Sequence, residues 1–401
     1  MPDPPAREPE AATAWARLSD AVAAAGGRLL ADDAPGGEHV RAAALGYLSE
    51  FLSAGIGQCV THADADNPSF VRMIAPDARW GLDNPDCLYL YAPVGPGRTY
   101  RIEGNRGSAT AIELQVNTGH FAGGDPGEWR TISSITDDTL QCAPDGSLSV
   151  AVGPDVTGPN TLITDSPGLD PTFLLVRQYF GDWETERPAD LSISLVGAEF
   201  PTPLPDVATM VERVERLTTW MSAGLGWWDD WMTELAKRPN DLSVFVTPGE
   251  DATAMHGLVY GVGAFACAPD EAVVLDVEVP PCRYWSVALM SPFNAALDYH
   301  GRQSHLNHTQ ARIDSDGVLR LVISHDDPGV WNWLDPCGFD TGGLFCRFLD
   351  PESDVPRPTF RTLARKNLDA ELPADTPRVS PHERPEILER RHAAGLRRYR
   401  A

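Results

Sequence analysis

Two distant stretches of this chain carry the same succession of short β-type blocks, and that repeat limits the fold more than any other feature. The first reads Asp145-Gly146-Ser147-Leu148-Ser149-Val150, then Asn160-Thr161-Leu162, then Leu175-Val176-Arg177-Gln178-Tyr179-Phe180. The second reads Asp316-Gly317-Val318-Leu319-Arg320-Leu321, then Asn332-Trp333-Leu334, then Leu344-Phe345-Cys346-Arg347-Phe348-Leu349. Glycine and asparagine are 14 residues apart in the first stretch and 15 in the second; asparagine and arginine are 17 and 15 apart. The shared order predicts a duplicated β-unit. Each Asp-Gly is a hairpin tip, because glycine accepts positive φ and aspartate can bond its own backbone. The arginine in each last block reaches a carboxylate or carbonyl in a structural role. Ahead of these blocks, Thr99-Tyr100-Arg101 aligns with Arg283-Tyr284-Trp285.

The segments around the repeat complete the expected architecture. Helical spacing of Trp15, Leu18, Val22, Leu29, then of Val40, Leu48, Leu52 and Ile56, predicts two N-terminal helices broken at Ala34-Pro35-Gly36-Gly37. Short alternating runs with frequent turns begin near Cys87 and recur to Phe348. Between the two β regions, Asp206 N-caps a helix reaching about Arg238, kinked near Gly224 and Gly226 and carrying Trp220, Trp227, Trp228 and Trp231. That helix packs on a sheet or forms the aromatic wall of an apolar pocket. The fold expected is mainly β: two related jelly-roll-like antiparallel sandwiches, with a helical N-terminal segment, an inter-domain helix and a helical C-terminal tail. The expected divisions are 1–80, 81–203, 204–240, 241–350 and 351–401.

Several blocks also resemble a known family. Asn84-Pro85-Asp86-Cys87-Leu88-Tyr89, Ala92-Pro93-Val94 and Thr99-Tyr100-Arg101-Ile102-Glu103-Gly104-Asn105-Arg106-Gly107 look like the bacterial family called domain of unknown function twelve-fourteen. Asp326-Asp327-Pro328-Gly329-Val330-Trp331-Asn332-Trp333-Leu334-Asp335, with Gly338, Gly343 and Arg347, resembles that family's C-terminal signature. The resemblance covers roughly residues 80–350. It implies two jelly-roll-like sandwiches and transfers no activity and no catalytic residue.

Charge narrows the partners. Against 32 Lys+Arg stand 57 Asp+Glu, a net charge of −25, which repels nucleic acid and anionic lipid. From Arg357 onward the sign reverses, with 11 Lys+Arg to 6 Asp+Glu, so a basic tail is expected to fold back on its own or a neighbouring subunit's acidic surface. A homo-oligomer held by that tail is one consequence. No apolar run is long enough to span a membrane, and MPDPPAREPE shows no secretory pattern. The seven cysteines form no C-x-x-C pair, which together with the missing leader suggests reduced thiols and a cytoplasmic location. No dinucleotide fingerprint or Walker sequence occurs, so no cofactor is expected.

Candidate chemistry concentrates in Asp298-Tyr299-His300-Gly301-Arg302-Gln303-Ser304-His305-Leu306-Asn307-His308. It falls in a long connection, where function on a rigid scaffold tends to sit. The leading expectation is a cofactor-independent enzyme (elimination, hydration or hydrolysis) acting on a small, largely apolar organic molecule. In it His300 or His305 is the base, Asp298 its orienter and Tyr299 a hydroxyl donor. Substrate contacts are expected from His120, Arg302, Trp331, Trp333 and Trp228. The matching loop of the first half, 117–137, contributes His120 and Asp125. Two alternatives remain: a non-catalytic sandwich that binds carbohydrate or lipid, and a metal-dependent enzyme using His300, His305 and His308. The absence of an H-x-H pair counts against metal.

Overall fold

A computed structural model describes residues 8–31, 37–120, 129–247 and 254–398. In the first half, β1 (Val71–Ile74), β2 (Cys87–Pro93), β8 (Phe173–Tyr179), β4 (Ala111–Thr118) and β5 (Arg130–Thr136) form one sheet in that order. Over it lies a second sheet, β7 (Thr161–Ile163), β6 (Ser147–Gly153), β3 (Tyr100–Asn105) and β9 (Asp190–Leu195). The second half repeats the plan. Its five-stranded sheet runs β10 (Asp241–Val246), β11 (Leu258–Ala266), β17 (Thr341–Leu349), β13 (Tyr284–Met290) and β14 (His305–Asn307). Its four-stranded sheet runs β16 (Trp333–Leu334), β15 (Val318–Ile323), β12 (Glu271–Glu278) and β18 (Thr359–Ala364).

Each strand of the second half holds the place of the strand nine earlier. Even the parallel pairs correspond, β6 with β7 and β15 with β16. The mainly-β duplicated architecture is therefore as expected, and the three repeated blocks occupy equivalent strands. The alignment of Tyr100 with Tyr284 is corrected: Tyr100 opens β3, whose counterpart is β12, whereas Tyr284 opens β13, the counterpart of β4. Both are tyrosines that open a strand beside an arginine, which local sequence cannot distinguish. Strand β1 lies in the segment expected to be helical, and β18 lies in the tail beyond residue 350.

The repeat is chemical as well as topological. Asn160 donates to the carbonyls of Gln141 (2.7 Å) and Ser149 (3.1 Å) and accepts from the Gln141 amide at 2.9 Å. Asn332 donates to the carbonyls of Arg312 (2.6 Å) and Arg320 (2.9 Å) and accepts from the Arg312 amide at 2.8 Å. Gly146 and Gly317 take φ of +82° and +85° at the two hairpin tips, a region that favours glycine.

Strand alternation makes three cores from four sheets. Leu174 and Val176 of β8 face the first sandwich's interior, and Leu344, Cys346 and Phe348 of β17 face the second's. The opposite faces, with Phe173, Leu175 and Tyr179 or Phe345 and Leu349, meet in a central core shared with the helices. Those helices are α1 (Glu8–Leu29), α2 (Glu38–Ile56), α3 (Val207–Thr219) and α4 (Leu225–Leu235), the last two joined by a π-turn at Trp220–Gly224. Asp206 caps α3 by accepting from the Thr209 amide at 2.8 Å. Trp220 is buried on Phe51 and Trp80, with ring centroids 4.8 and 4.7 Å away.

After the short α5 (Leu368–Glu371), the tail closes with α6 (Glu383–Arg398). Ser380 and Glu383 cap it reciprocally, side chain to amide in both directions. This basic helix lies on its own chain. Among the described residues no helix is long and apolar enough to cross a membrane. The expected break at 34–36 and Asp125 lie outside the described residues.

If the two asparagines do the same work, Asn160→Ala and Asn332→Ala each destabilise the chain by about 1–3 kcal/mol. Asn332→Ala costs more, because that side chain is the more deeply buried. Urea unfolding of both variants against the parent measures this.

Candidate functional site

Between the two five-stranded sheets and α4 lies a cavity of about 270 Å³. Its polar lining comes from the repeat itself. Arg177 on β8 stands opposite Tyr89 on β2, and Arg347 on β17 stands opposite Tyr260 on β11. All four side chains line this one cavity, so the duplication brings two Tyr–Arg pairs to the same space. The remaining wall is apolar and aromatic, with Trp227, Trp228 and Trp231 from α4 and Met255 and Leu258 at the start of β11.

The arginines carry out part of the structural role expected of them. Arg347 donates to the Leu82 carbonyl at 2.6 Å and lies 3.5 Å from the centroid of the Phe345 ring. Arg177 donates to the Gln115 side-chain oxygen. Burial raises the Glu113 carboxyl above its ordinary value, only partly opposed by Arg177 opposite it in register.

The histidine loop lies elsewhere. His305 is fully buried on β14, and its Nε2 donates to Asp86 Oδ2 at 2.7 Å. Arg391 of α6 donates to its Nδ1 at 2.9 Å. Since Arg391 can only donate, the neutral Nε2–H tautomer satisfies both contacts. Asp86 also accepts from Tyr284 (2.6 Å), Asn307 (2.8 Å) and the Trp183 indole (2.6 Å). Trp183 stacks on His305 with an interplanar angle of 5°. Arg391 and Arg398 lie 4.6 and 4.3 Å from the Trp183 ring centroid. Burial lowers His305 to about 4, overriding the opposing pull of Asp86. Burial pushes the Asp86 carboxyl up, but His305 and Tyr284 more than reverse that, leaving it below the ordinary value.

The predicted residues therefore divide. Asp298 closes a turn: its Oδ1 accepts from the backbone amides of His300 (3.2 Å) and Gly301 (2.9 Å). The carboxylate on His305 is Asp86. The Tyr299 ring packs on His300 at 4.4 Å, and its carbonyl accepts from Arg391. His300 lies under α6 so closely that a Cβ on Gly395 would stand 2.4 Å from its Cδ2. His300, His305 and His308 are not gathered as ligands, and no group of three metal-ligating side chains occurs among the described residues. His120 is buried among Tyr91, Phe173 and Trp220, outside the cavity lining. Arg302 pairs with Asp335 at 2.7 Å. Trp331 lines a second cavity of about 430 Å³ beneath α6, and Trp333 donates to the Ser324 carbonyl. Of the expected contacts, Trp228 alone lines the central cavity.

The fold and cavity define a class: a duplicated pair of β-sandwiches holding an aromatic, arginine-bearing space between their inner sheets. Over residues 270–353 the chain matches the family described as Protein of unknown function (DUF1214), which bears out the resemblance for that segment. A crystal structure of an uncharacterised protein from Burkholderia cenocepacia is similar over 88% of this chain and 97% of its own, at 27% identity and a TM-score of 0.81. A protein from Vibrio parahaemolyticus aligns over 79% of this chain and 97% of its own, at 12% identity and a TM-score of 0.47, and carries no further weight. No curated protein matches the chain.

A histidine whose folded pKa lies below its unfolded value stabilises fully above the unfolded value, near 6.5, and loses that contribution as pH falls toward the folded one. Burial lowers His305 to about 4, and His120 and His300 to about 3. Stability to urea is thus expected to fall steadily between pH 6.5 and about 4. Imidazole ¹⁵N shifts should keep His305 as the Nε2–H tautomer at pH 5, and a protonated ring there contradicts the network.

Proposed function

We propose that this chain binds a small, largely apolar organic molecule in the cavity between its two inner sheets, and that binding rather than acid–base turnover by the histidine loop is its primary activity. One observation carries the reading: a cavity of about 270 Å³ walled by three tryptophans of α4 and by both repeat arginines. A concave, mostly apolar space with a few placed polar groups is the usual form of a small-molecule site. An apolar cavity of about 150 Å³ accepts benzene, so this one suits a guest of roughly ten non-hydrogen atoms.

The histidine loop supports catalysis less well. In this arrangement His305 has no open lone pair, and its ring lies beneath α6. The expected base would need the helix to leave before it could reach a substrate proton.

Titration with the neutral probe 3-phenylpropan-1-ol, followed by tryptophan emission and calorimetry, tests the reading. Saturable binding at one site is expected. Leu258→Phe extends a lining side chain into the cavity. It should weaken binding at least about tenfold while costing about 1–3 kcal/mol of stability. Equal affinity in the two proteins would place the probe elsewhere and overturn the reading.

A further inference from the structure

Resting on that cavity reading, we propose that the guest carries a carboxylate and that Arg347 receives it. The argument comes from comparing the two copies of the repeat. In the first copy Arg177 is flanked across the ladder by Glu113 on β4, and Gln115, two residues further along the same face, accepts its hydrogen bond. In the second copy the equivalent strand β13 presents Ser286 opposite Arg347 and Ala288 at the place of Gln115. The carboxylate and the amide acceptor are both gone, and the arginine remains.

Arg347 is correspondingly under-satisfied. It is 3% exposed, Nη2 is held by the Leu82 carbonyl, and Nη1 has no hydrogen-bond partner among the described residues. No carboxylate among the described residues forms an ion pair with it. Asp83 acts on it only through space, and that carboxyl is itself raised to about 6, chiefly by burial. A desolvated guanidinium with an idle N–H, on a residue that lines the cavity, is a ready partner for an anion, and its planar fork suits a carboxylate. Arg347 and Arg177 both act electrostatically on Cys87 and Tyr179, so the two positive charges bear on one region. The tryptophans of α4 and the Met255–Leu258 side receive the apolar body.

The class of guest is therefore a monocarboxylic acid with a compact aromatic or branched aliphatic body. The test uses two probes of matching shape, 3-phenylpropionate and 3-phenylpropan-1-ol, titrated into the full chain at pH 7.5 by calorimetry. The acid should bind at least about tenfold tighter than the alcohol, the scale of one charge-assisted pair. Arg347→Gln should abolish that preference, so that acid and alcohol bind the variant with affinities within about twofold of each other. Arg347→Met, with melting followed in parallel, is the second variant if the glutamine fails to fold. Even if both variants are lost, equal affinities in the parent chain still refute the carboxylate. Equal affinities in the parent, or a preference that survives at position 347, overturn the carboxylate assignment and leave the cavity reading standing. Binding of neither probe overturns both.

Discussion

A strand with sheet neighbours on both edges and layers against both faces is almost wholly removed from water, and β8 and β17 are such strands. Every residue of β8 is buried, and so are all but the first of β17. Each nevertheless carries one arginine. Taking a guanidinium out of water costs several kcal/mol unless its N–H groups are met. The two arginines therefore dictate what stands beside them: a carbonyl from the β1–β2 connection for Arg347, and a glutamine from β4 for Arg177. The inner sheets can close on each other only around these groups, and the cavity is the space the closure leaves.

Helix α6 meets the same demand at the molecule's other buried polar centre. Arg384, Arg391 and Arg398 are seven residues apart and so share one face of the helix. Arg384 reaches Asp327 (2.8 Å) and the carbonyl of Val330 (2.5 Å). Arg391 reaches the Tyr299 carbonyl (2.6 Å), Gln310 (2.9 Å) and His305, while Arg398 reaches the Pro85 carbonyl (2.5 Å). Most of these acceptors are uncharged, and the aromatic faces of Trp183 and Phe180 supply further attraction. These three arginines are spent mainly at buried acceptors, while Arg361 and Arg378 of the tail pair with Asp276 and Asp369 nearer the surface.

Local signals were readable because they act locally. Asp-Gly turns, the Asp206 cap and the repeated asparagines each fix a few neighbouring residues, and the duplication follows from their order. The site was harder to read because it is made by pairing. Nothing in Leu88-Tyr89-Leu90-Tyr91 says that Tyr89 will stand opposite Arg177; that is a property of register between β2 and β8. Three hints were nonetheless present. Arginine inside an otherwise uncharged strand is costly, an aspartate directly before a buried strand is unusual, and arginines at seven-residue spacing on a short helix make one stripe. The density of histidines drew attention to residues 300–308, but density along a chain does not measure access. Asp86 lies more than 200 positions from His305 and shares a hydrogen bond with it.

The two copies have diverged most on the strands facing the cavity. On β4 the central face carries Glu113, Gln115 and Asn117, and each is spent on the surrounding wall. Glu113 accepts from the His256 amide (3.2 Å), Gln115 donates to the Ala254 carbonyl (3.2 Å), and Asn117 accepts from the Trp129 indole (3.0 Å). On β13 the corresponding residues are Ser286, Ala288 and Met290, which are shorter or apolar. One copy carries a set of anchors that hold Trp129 and the segment 254–256 in place, and the other carries the arginine without the corresponding partners. Exact two-fold symmetry would have satisfied both arginines internally or neither. In the asymmetric pair one copy builds the wall and the other leaves an N–H of its arginine unmet among the described residues, a division of labour that the proposed binding role would use.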